Sequence, residues 1–168
     1  KENLPPEFKA LSLIADQYKI PSYYPLELIQ GMKMDVEGTR YETFKDLDLY
    51  CYRVAGVVGL MMSHIMGVSD QEALKNAADM GNAMQLTNIS RDIMEDFQMG
   101  RVYLPLQWLK EVGVVLEEVG EVKHRKAIAS LVNRLLKQAQ IYYESGNRGL
   151  KYLSFRSALA VGVASCVY

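Results

Sequence analysis

Nearly every strong hydrophobic pattern in this chain repeats with the period of an α-helix, and this regularity limits the fold more than any other feature. Apolar residues recur at spacings of three and four through "FKALSLIADQYKI", "YETFKDLDLYCYRVAGVVGLMMSHIMG" and the segment 121–144. No internal repeat, low-complexity tract or interdomain linker interrupts the pattern, and 168 residues suit one domain with a sizeable core. The sequence therefore predicts a single all-α domain, a helical bundle over residues 1–168.

Prolines, glycines and capping residues mark the expected helix boundaries. Ser69 and Glu72 form an S-x-x-E capping box, which predicts the start of a helix that closes near Gly100. Gly146 and Gly149 are expected to break the helix that precedes them. The expected helices are residues 8–20, 25–36, 41–67, 70–100, 105–108, 121–144 and 154–168.

Composition excludes some classes of function. The formal net charge of −1 and the absence of a basic face argue against nucleic acid as a partner. Cys51 and Cys166 lack the spacing of a metal site or a disulfide framework, which favours a reducing, cytoplasmic compartment. Apolar runs such as "VAGVVGLMM" are too short to span a bilayer, although peripheral membrane contact stays open. Nothing in the sequence indicates the oligomeric state.

The most informative segment is "GNAMQLTNISRDIMEDFQMGRVYLP". On a helix, Asn88, Asp92 and Asp96 form one vertical row at i,i+4 spacing, beside an apolar face, and Arg91 flanks the row. Like charges at that spacing repel, so a divalent cation would relieve the row. The pattern favours a D-x-x-x-D site for Mg²⁺ and a diphosphate, and a solvated acidic face is the alternative.

Two glycines lie inside the long third helix, where each costs roughly 1 kcal/mol relative to alanine. Gly56 and Gly59 either let another helix approach closely or clear space for a ligand. With Val54 and Val58 one and two turns after Tyr50, this helix is expected to line an apolar tunnel.

These segments resemble a known family. "YCYRVAGVVGLMMSHIMGV" followed by "GNAMQLTNISRDIMEDFQMGRVYLPLQWL" is similar to the squalene and phytoene synthases, most closely to the bacterial phytoene synthases. The resemblance covers most of the chain. It implies part of an isoprenoid-synthase α-fold that condenses two geranylgeranyl diphosphates head to head, through a cyclopropyl diphosphate, to 15-cis-phytoene in carotenoid biosynthesis.

The resemblance also assigns residues, by the positions that match the family's motifs. It implies Mg²⁺, with Mn²⁺ as an alternative, and no NADPH, because "GLMMSHIMGV" is more similar to the phytoene branch and no dinucleotide fingerprint is present. The implied catalytic residues are Arg91, Asp92, Asp96 and Tyr103. The implied metal ligands are Asn88, Asp92 and Asp96. The implied substrate-binding residues are Tyr50, Val54, Val58, Gly59, Gly81, Met84, Gln85, Asn88, Arg101 and Tyr168.

One departure from the family pattern matters. Family members carry a first Asp-rich motif on an earlier helix, and neither "LIADQ", "MKMDVE" nor "KDLDLY" offers it here. We therefore expect these residues to lack that helix and the end of the last one, and to be inactive alone. Two other functions stay open: a squalene or dehydrosqualene synthase that uses farnesyl diphosphate, and a non-catalytic assembly factor. Intact acids favour an enzyme, because a scaffold has little need for them.

Overall fold

The computed structural model describes residues 5–167, and all regular structure within that range is helical. The prediction of an all-α fold is confirmed. No helix within the described range is both long and apolar enough to cross a membrane. The helices are α1 (Pro6–Gln17), α2 (Tyr23–Val36), α3 (Phe44–Cys51), α4 (Val57–Ile65), α5 (Gln71–Gln98), α6 (Leu106–Glu111), α7 (Arg125–Gly149) and α8 (Phe155–Val167), and short 3₁₀ turns connect several of them.

The predicted long third helix begins later than expected and changes its winding in the middle. Thr43 caps α3: its hydroxyl accepts from the Asp46 N–H at 3.3 Å, and the Asp46 carboxylate accepts from the Thr43 N–H at 2.8 Å. Between α3 and α4 the chain forms a π-helical segment, Tyr52–Gly56, which we call the π segment. Such a bulge rotates the side chains after it relative to those before it.

Helix α5 begins one residue later than the capping box implied. Asp70, not Ser69, is the N-cap, and its carboxylate accepts from the N–H groups of Glu72 and Ala73 at 2.9 and 3.1 Å. The Ser69 prediction is wrong because aspartate caps a helix at least as well as serine and here lies next to it. At the other end Gly100 adopts a φ of 76°, as expected for a glycine stop.

The prediction that Gly146 breaks a helix is also wrong, whereas Gly149 is the last residue of α7. Helix α7 continues to Gly149, because both glycines face α5 and let the two helices approach closely. A Cβ added at Gly146 would lie 2.9 Å from the Met80 Cβ, and one at Gly149 would lie 2.7 Å from the Asn76 Cβ. Both glycines therefore act in helix packing, and Gly146 does so in the interior of α7.

The core lies where α3, α5, α6 and α7 meet. The apolar face predicted for α5 is buried: Leu86, Ile89 and Ile93 are at most 9% exposed. They pack with residues from the neighbouring helices, namely Leu47, Cys51, Trp108, Leu109, Ile128, Leu131 and Leu135. With one face of α5 fixed in this core, its polar row is directed elsewhere.

Candidate active site

A mostly apolar cavity of about 680 Å³ lies between α4, α5, the end of α7 and α8. Its wall includes Leu150 and Leu153 from the turn before α8, and Ala160 and Ala164 from α8 itself. Seven of the residues predicted to bind substrate line it: Val54, Val58, Gly59, Gly81, Met84, Gln85 and Asn88.

The two glycines of this set, Gly59 and Gly81, also allow close packing between helices. A Cβ on Gly59 would lie 2.3 Å from the Ala77 carbonyl oxygen, and a Cβ on Gly81 would lie 2.3 Å from that of Ala55. Both glycines therefore let α5 pack closely against α4 and the π segment, and both face the cavity. The two roles left open for Gly59 coexist.

The cavity becomes polar toward the C-terminal part of α5. Gln85 and Asn88 contribute to its wall, and the Asn88 Oδ1 is buried without a hydrogen-bond partner among the described residues. An unpaired buried oxygen is costly, so a hydrogen bond or metal contact made to this atom by a ligand would be favourable. The next turn of α5 carries Asp92, and the turn after that carries Asp96.

Asp92 forms a two-point ion pair with its neighbour. The Arg91 Nε and the second guanidinium nitrogen donate to the two Asp92 oxygens, both at 2.7 Å. These hydrogen bonds lower the pKa of Asp92, whose side chain is 32% exposed. Arg91 also borders a separate groove between α5 and α7, beside Val132 and Leu136. The structure thus brings Arg91 and Asp92 together at the surface of α5.

Asp96 lies in a more enclosed place. It shares a small pocket with Arg101 and Tyr103, two residues that the sequence also assigned to the site. Burial raises the pKa of Asp96, and the negative charge of Asp92 raises it further, while the Arg101 charge opposes both effects. Asp96 is therefore a half-buried carboxylate within an excess of negative charge.

One acid of this cluster was missed by the sequence analysis. Asp35, on α2, accepts hydrogen bonds from the Tyr103 hydroxyl at 2.9 Å and from the Tyr50 hydroxyl at 3.0 Å. The Tyr50 and Tyr103 rings stack at 5.2 Å, and Tyr41 packs against both. A search for paired acids overlooks Asp35, because its partners lie 15 and 68 residues away in sequence.

Tyr50 was expected to line the cavity, and the structure places it in the core instead. Tyr50 does not belong to the cavity wall, because it is 3% exposed and its hydroxyl is directed to Asp35. Tyr168 lies outside the described residues. Sequence spacing placed Tyr50 and Val54 on the same helical face, and Val54 does pack against the core that contains Tyr50, but of the two Val54 alone lines the cavity.

The donor set on α5 fits a hard divalent cation. An unpaired buried amide oxygen at Asn88 and two carboxylates form one row, and carboxylate, amide and water oxygens are what Mg²⁺ prefers. Among the described residues, Asp92 and Asp96 do not form a close group with a third acid, histidine or cysteine. Within residues 5–167, one group of three histidine, cysteine or acidic side chains is close enough to share an ion, and it consists of Glu118, Glu121 and His124. Lys123 already forms ion pairs with both glutamates of that group.

Comparisons with known proteins agree on one family. A family model described as squalene/phytoene synthase matches residues 1–168. A 15-cis-phytoene synthase from Enterobacter agglomerans is 47% identical over 163 residues, which cover 97% of this chain and 55% of that relative. The chain spans about half the length of the curated relatives it matches.

Solved structures show the same fold. Squalene synthase HpnC from Alicyclobacillus acidocaldarius has a TM-score of 0.90 at 25% identity, with 98% of this chain and 63% of that chain covered. A dehydrosqualene synthase in complex with ligand has a TM-score of 0.84 at 34% identity, with 96% and 58% covered. The family resemblance inferred from the sequence is confirmed.

Proposed function

This chain belongs to the squalene/phytoene synthase family, and we propose that it forms part of an enzyme that joins two geranylgeranyl diphosphates head to head to give 15-cis-phytoene. One observation carries the proposal: an apolar cavity of about 680 Å³ extends to Asn88 on α5, and the next two turns of that helix carry Asp92 and Asp96. A prenyl diphosphate has the same division, because it joins a long hydrocarbon to a strongly charged head.

Different residues of the chain would bind the metal ion and the diphosphate in such a reaction. Asn88, Asp92 and Asp96 would hold Mg²⁺, or Mn²⁺, which neutralises the charge of a departing diphosphate as a Lewis acid. Arg91 and Arg101 add positive charge on either side of the row, and a guanidinium fits phosphate oxygens well. Tyr103 lies with Asp96 and Arg101 in one pocket, so its hydroxyl is near the diphosphate end.

The apolar wall has a chemical task as well. Loss of diphosphate from an allylic carbon leaves a carbocation, which water would capture. Valine, methionine and alanine side chains keep water from the reacting carbons, and they leave the cation free to couple with the second prenyl chain through a cyclopropyl diphosphate. Closure of the cyclopropane ring releases one proton. The second diphosphate then departs, the carbon skeleton rearranges, and loss of a second proton completes the product, so NADPH is not needed.

Two other functions are weighed against this one. A squalene or dehydrosqualene synthase acting on farnesyl diphosphate shares the fold, and solved structures with those names are similar to this chain. Curated relatives named phytoene synthase, at 41–47% identity over 97% of the chain, favour the longer substrate. A non-catalytic assembly factor would not need the acids of α5 or the buried Asn88 oxygen.

Product analysis of the full-length gene product tests the proposal. The protein is incubated with farnesyl or geranylgeranyl diphosphate, with and without Mg²⁺ and with and without NADPH. We expect phytoene from geranylgeranyl diphosphate, dependent on Mg²⁺ and indifferent to NADPH. Asp92→Asn should abolish turnover and preserve the helical circular dichroism. Squalene as the main product, or full activity of the variant, would contradict the proposal.

The substrate also bears on location. A geranylgeranyl chain is poorly soluble in water, so we propose a cytoplasmic protein that makes peripheral contact with a membrane to collect it. Sedimentation of the full-length gene product with lipid vesicles measures that contact.

A further inference from the structure

We infer that Asp35 is a positioning residue of this active site, which holds the Tyr103 hydroxyl in place beside Asp96. The inference rests on the proposed function and deepens it, because it adds a residue from α2 to a site otherwise formed by α5 and the segment after it. The residue roles implied by the family resemblance do not include one for this aspartate.

Hydrogen bonds from two tyrosines converge on Asp35. The Asp35 Oδ1 accepts from the hydroxyls of both Tyr50 and Tyr103, and the Oδ2 accepts from Tyr50 as well, all at 2.9–3.0 Å. A carboxylate that holds two hydroxyls fixes both at once, and hydrogen bonds to a charged acceptor are stronger than neutral ones. Stacking of the two rings removes their remaining freedom.

The charge of Asp35 has no cationic partner among the described residues. Among the described residues no lysine or arginine forms an ion pair with the half-buried Asp35, so its charge is balanced only by the two phenols. A neutral asparagine of nearly the same shape would avoid part of the cost of burying a charge. Retaining a charge where a neutral group would suffice for packing is typical of a functional site.

Asp35 lies close to the acidic end of α5. Tyr103 and Asp96 line the same small pocket with Arg101, and the charge of Asp35 reaches Asp96, where it adds to the effects of Asp92 and Glu95 on the pKa. Asp35 thus connects α2 to the predicted metal-binding end of α5. Outer partners of this kind set the orientation of the residues that contact the ligand.

The chain offers a matched control. Asp48, on α3, accepts a hydrogen bond from the Tyr142 hydroxyl at 2.6 Å and is also half-buried. This second aspartate–tyrosine pair joins α3 to α7, and neither residue lines the cavity or the Asp96 pocket. Asp48→Asn therefore makes the same chemical change as Asp35→Asn, away from the site.

The decisive measurement is kcat for pyrophosphate release by the full-length gene product. Asp35→Asn should lower kcat roughly 10- to 100-fold, the range typical of outer partners, with the unfolding midpoint unchanged or raised. In a Tyr103→Phe background the same substitution should cost less than about threefold, because residues that act through one another are not additive. Asp48→Asn should leave kcat unchanged. Equal losses of kcat in both backgrounds, or an equal loss from Asp48→Asn, would overturn the inference.

A spectroscopic measurement tests the hydrogen bond without any turnover. With tyrosine labelled by ¹³C at Cζ, Asp35→Asn should shift the resonances of Tyr50 and Tyr103 and not that of Tyr142, and Asp48→Asn should do the reverse. An unmoved Tyr103 resonance overturns the inference even if phytoene is made. If the wild-type protein releases no pyrophosphate, the proposed function fails instead. The resonances are measured without turnover, so the two failures can be distinguished.

Discussion

Two aspartates two positions apart on α3 experience opposite environments. Asp46 is exposed and belongs to the capping box, where the Thr43 N–H and hydroxyl donate to its carboxylate and lower its pKa. Asp48 faces α7, and its burial raises its pKa, against the opposing effect of the Tyr142 hydrogen bond. Position on the helix, and not residue type, decides the sign of each shift.

The opposite signs predict opposite pH dependences of stability. Asp48 binds its proton more tightly in the folded state, so its favourable contribution exists below the unfolded value near 3.8 and is lost as pH rises through the folded pKa. The Asp46 contribution exists above that value and is lost as pH falls through its depressed folded pKa.

Urea unfolding of the full-length gene product from about pH 3 to 7 measures both effects, in each case against the asparagine variant. Relative to Asp48→Asn, the wild-type protein should lose stability as the pH rises. Relative to Asp46→Asn, the wild-type protein should gain stability as the pH rises. Two difference curves of the same sign would show that the described environments are wrong.

At the scale of helices, glycine determines how closely neighbours pack. Gly59 and Gly81 lie where α5 packs against α4 and the π segment. Gly146 and Gly149 lie where α7 packs against α5. A local pattern cannot distinguish a glycine that ends a helix from one that lets a neighbour approach, because the difference lies in the neighbour. That is why the helix break predicted at Gly146 was wrong, whereas the stop at Gly100 was right.

Two helical glycines give a direct test of this role. Gly59→Ala would place its Cβ 2.3 Å from the Ala77 carbonyl oxygen, so backbone must move and we expect a loss of about 1–3 kcal/mol in the free energy of unfolding. At Gly162, in α8, the nearest atom to an added Cβ is the Leu150 Cδ1 at an ordinary 3.7 Å.

Gly162→Ala should therefore be neutral or stabilising, by up to about 1 kcal/mol, because alanine favours a helix. Thermal unfolding of both variants in the full-length gene product makes the comparison. Equal losses in the two variants would mean that close packing at Gly59 has no special cost.

At the scale of the whole molecule, the sequence predicted the helices and the acidic row well, because both follow from a period of 3.6 residues. It could not predict the Asp35 contacts, which depend on α2 lying against α3 and on the segment after α5. Nor could it place Tyr50, since the contacts of its ring and hydroxyl with Tyr103 and Asp35 join segments that lie far apart in sequence. Contacts between distant segments are what periodicity leaves undetermined.

The cavity is likewise a property of the assembled helices, and α8 supplies a wall that no motif identified. Ala160 and Ala164 line the cavity, whereas Leu159 is 58% exposed and is not part of the wall. Ala160→Trp should fill part of the space that we assign to the prenyl chain, and Leu159→Trp adds the same indole next to it, outside the wall.

We expect Ala160→Trp to weaken geranylgeranyl diphosphate binding about tenfold or more, because displacing two methylene groups already loses about 1.6 kcal/mol of burial. Shorter geranyl diphosphate should be affected less, since its chain need not reach that wall. Calorimetric titration of the full-length gene product with Mg²⁺ present measures both affinities. If Leu159→Trp weakened binding as much, or if Ala160→Trp weakened both substrates equally, the hydrocarbon would lie elsewhere than between α4, α5 and α8.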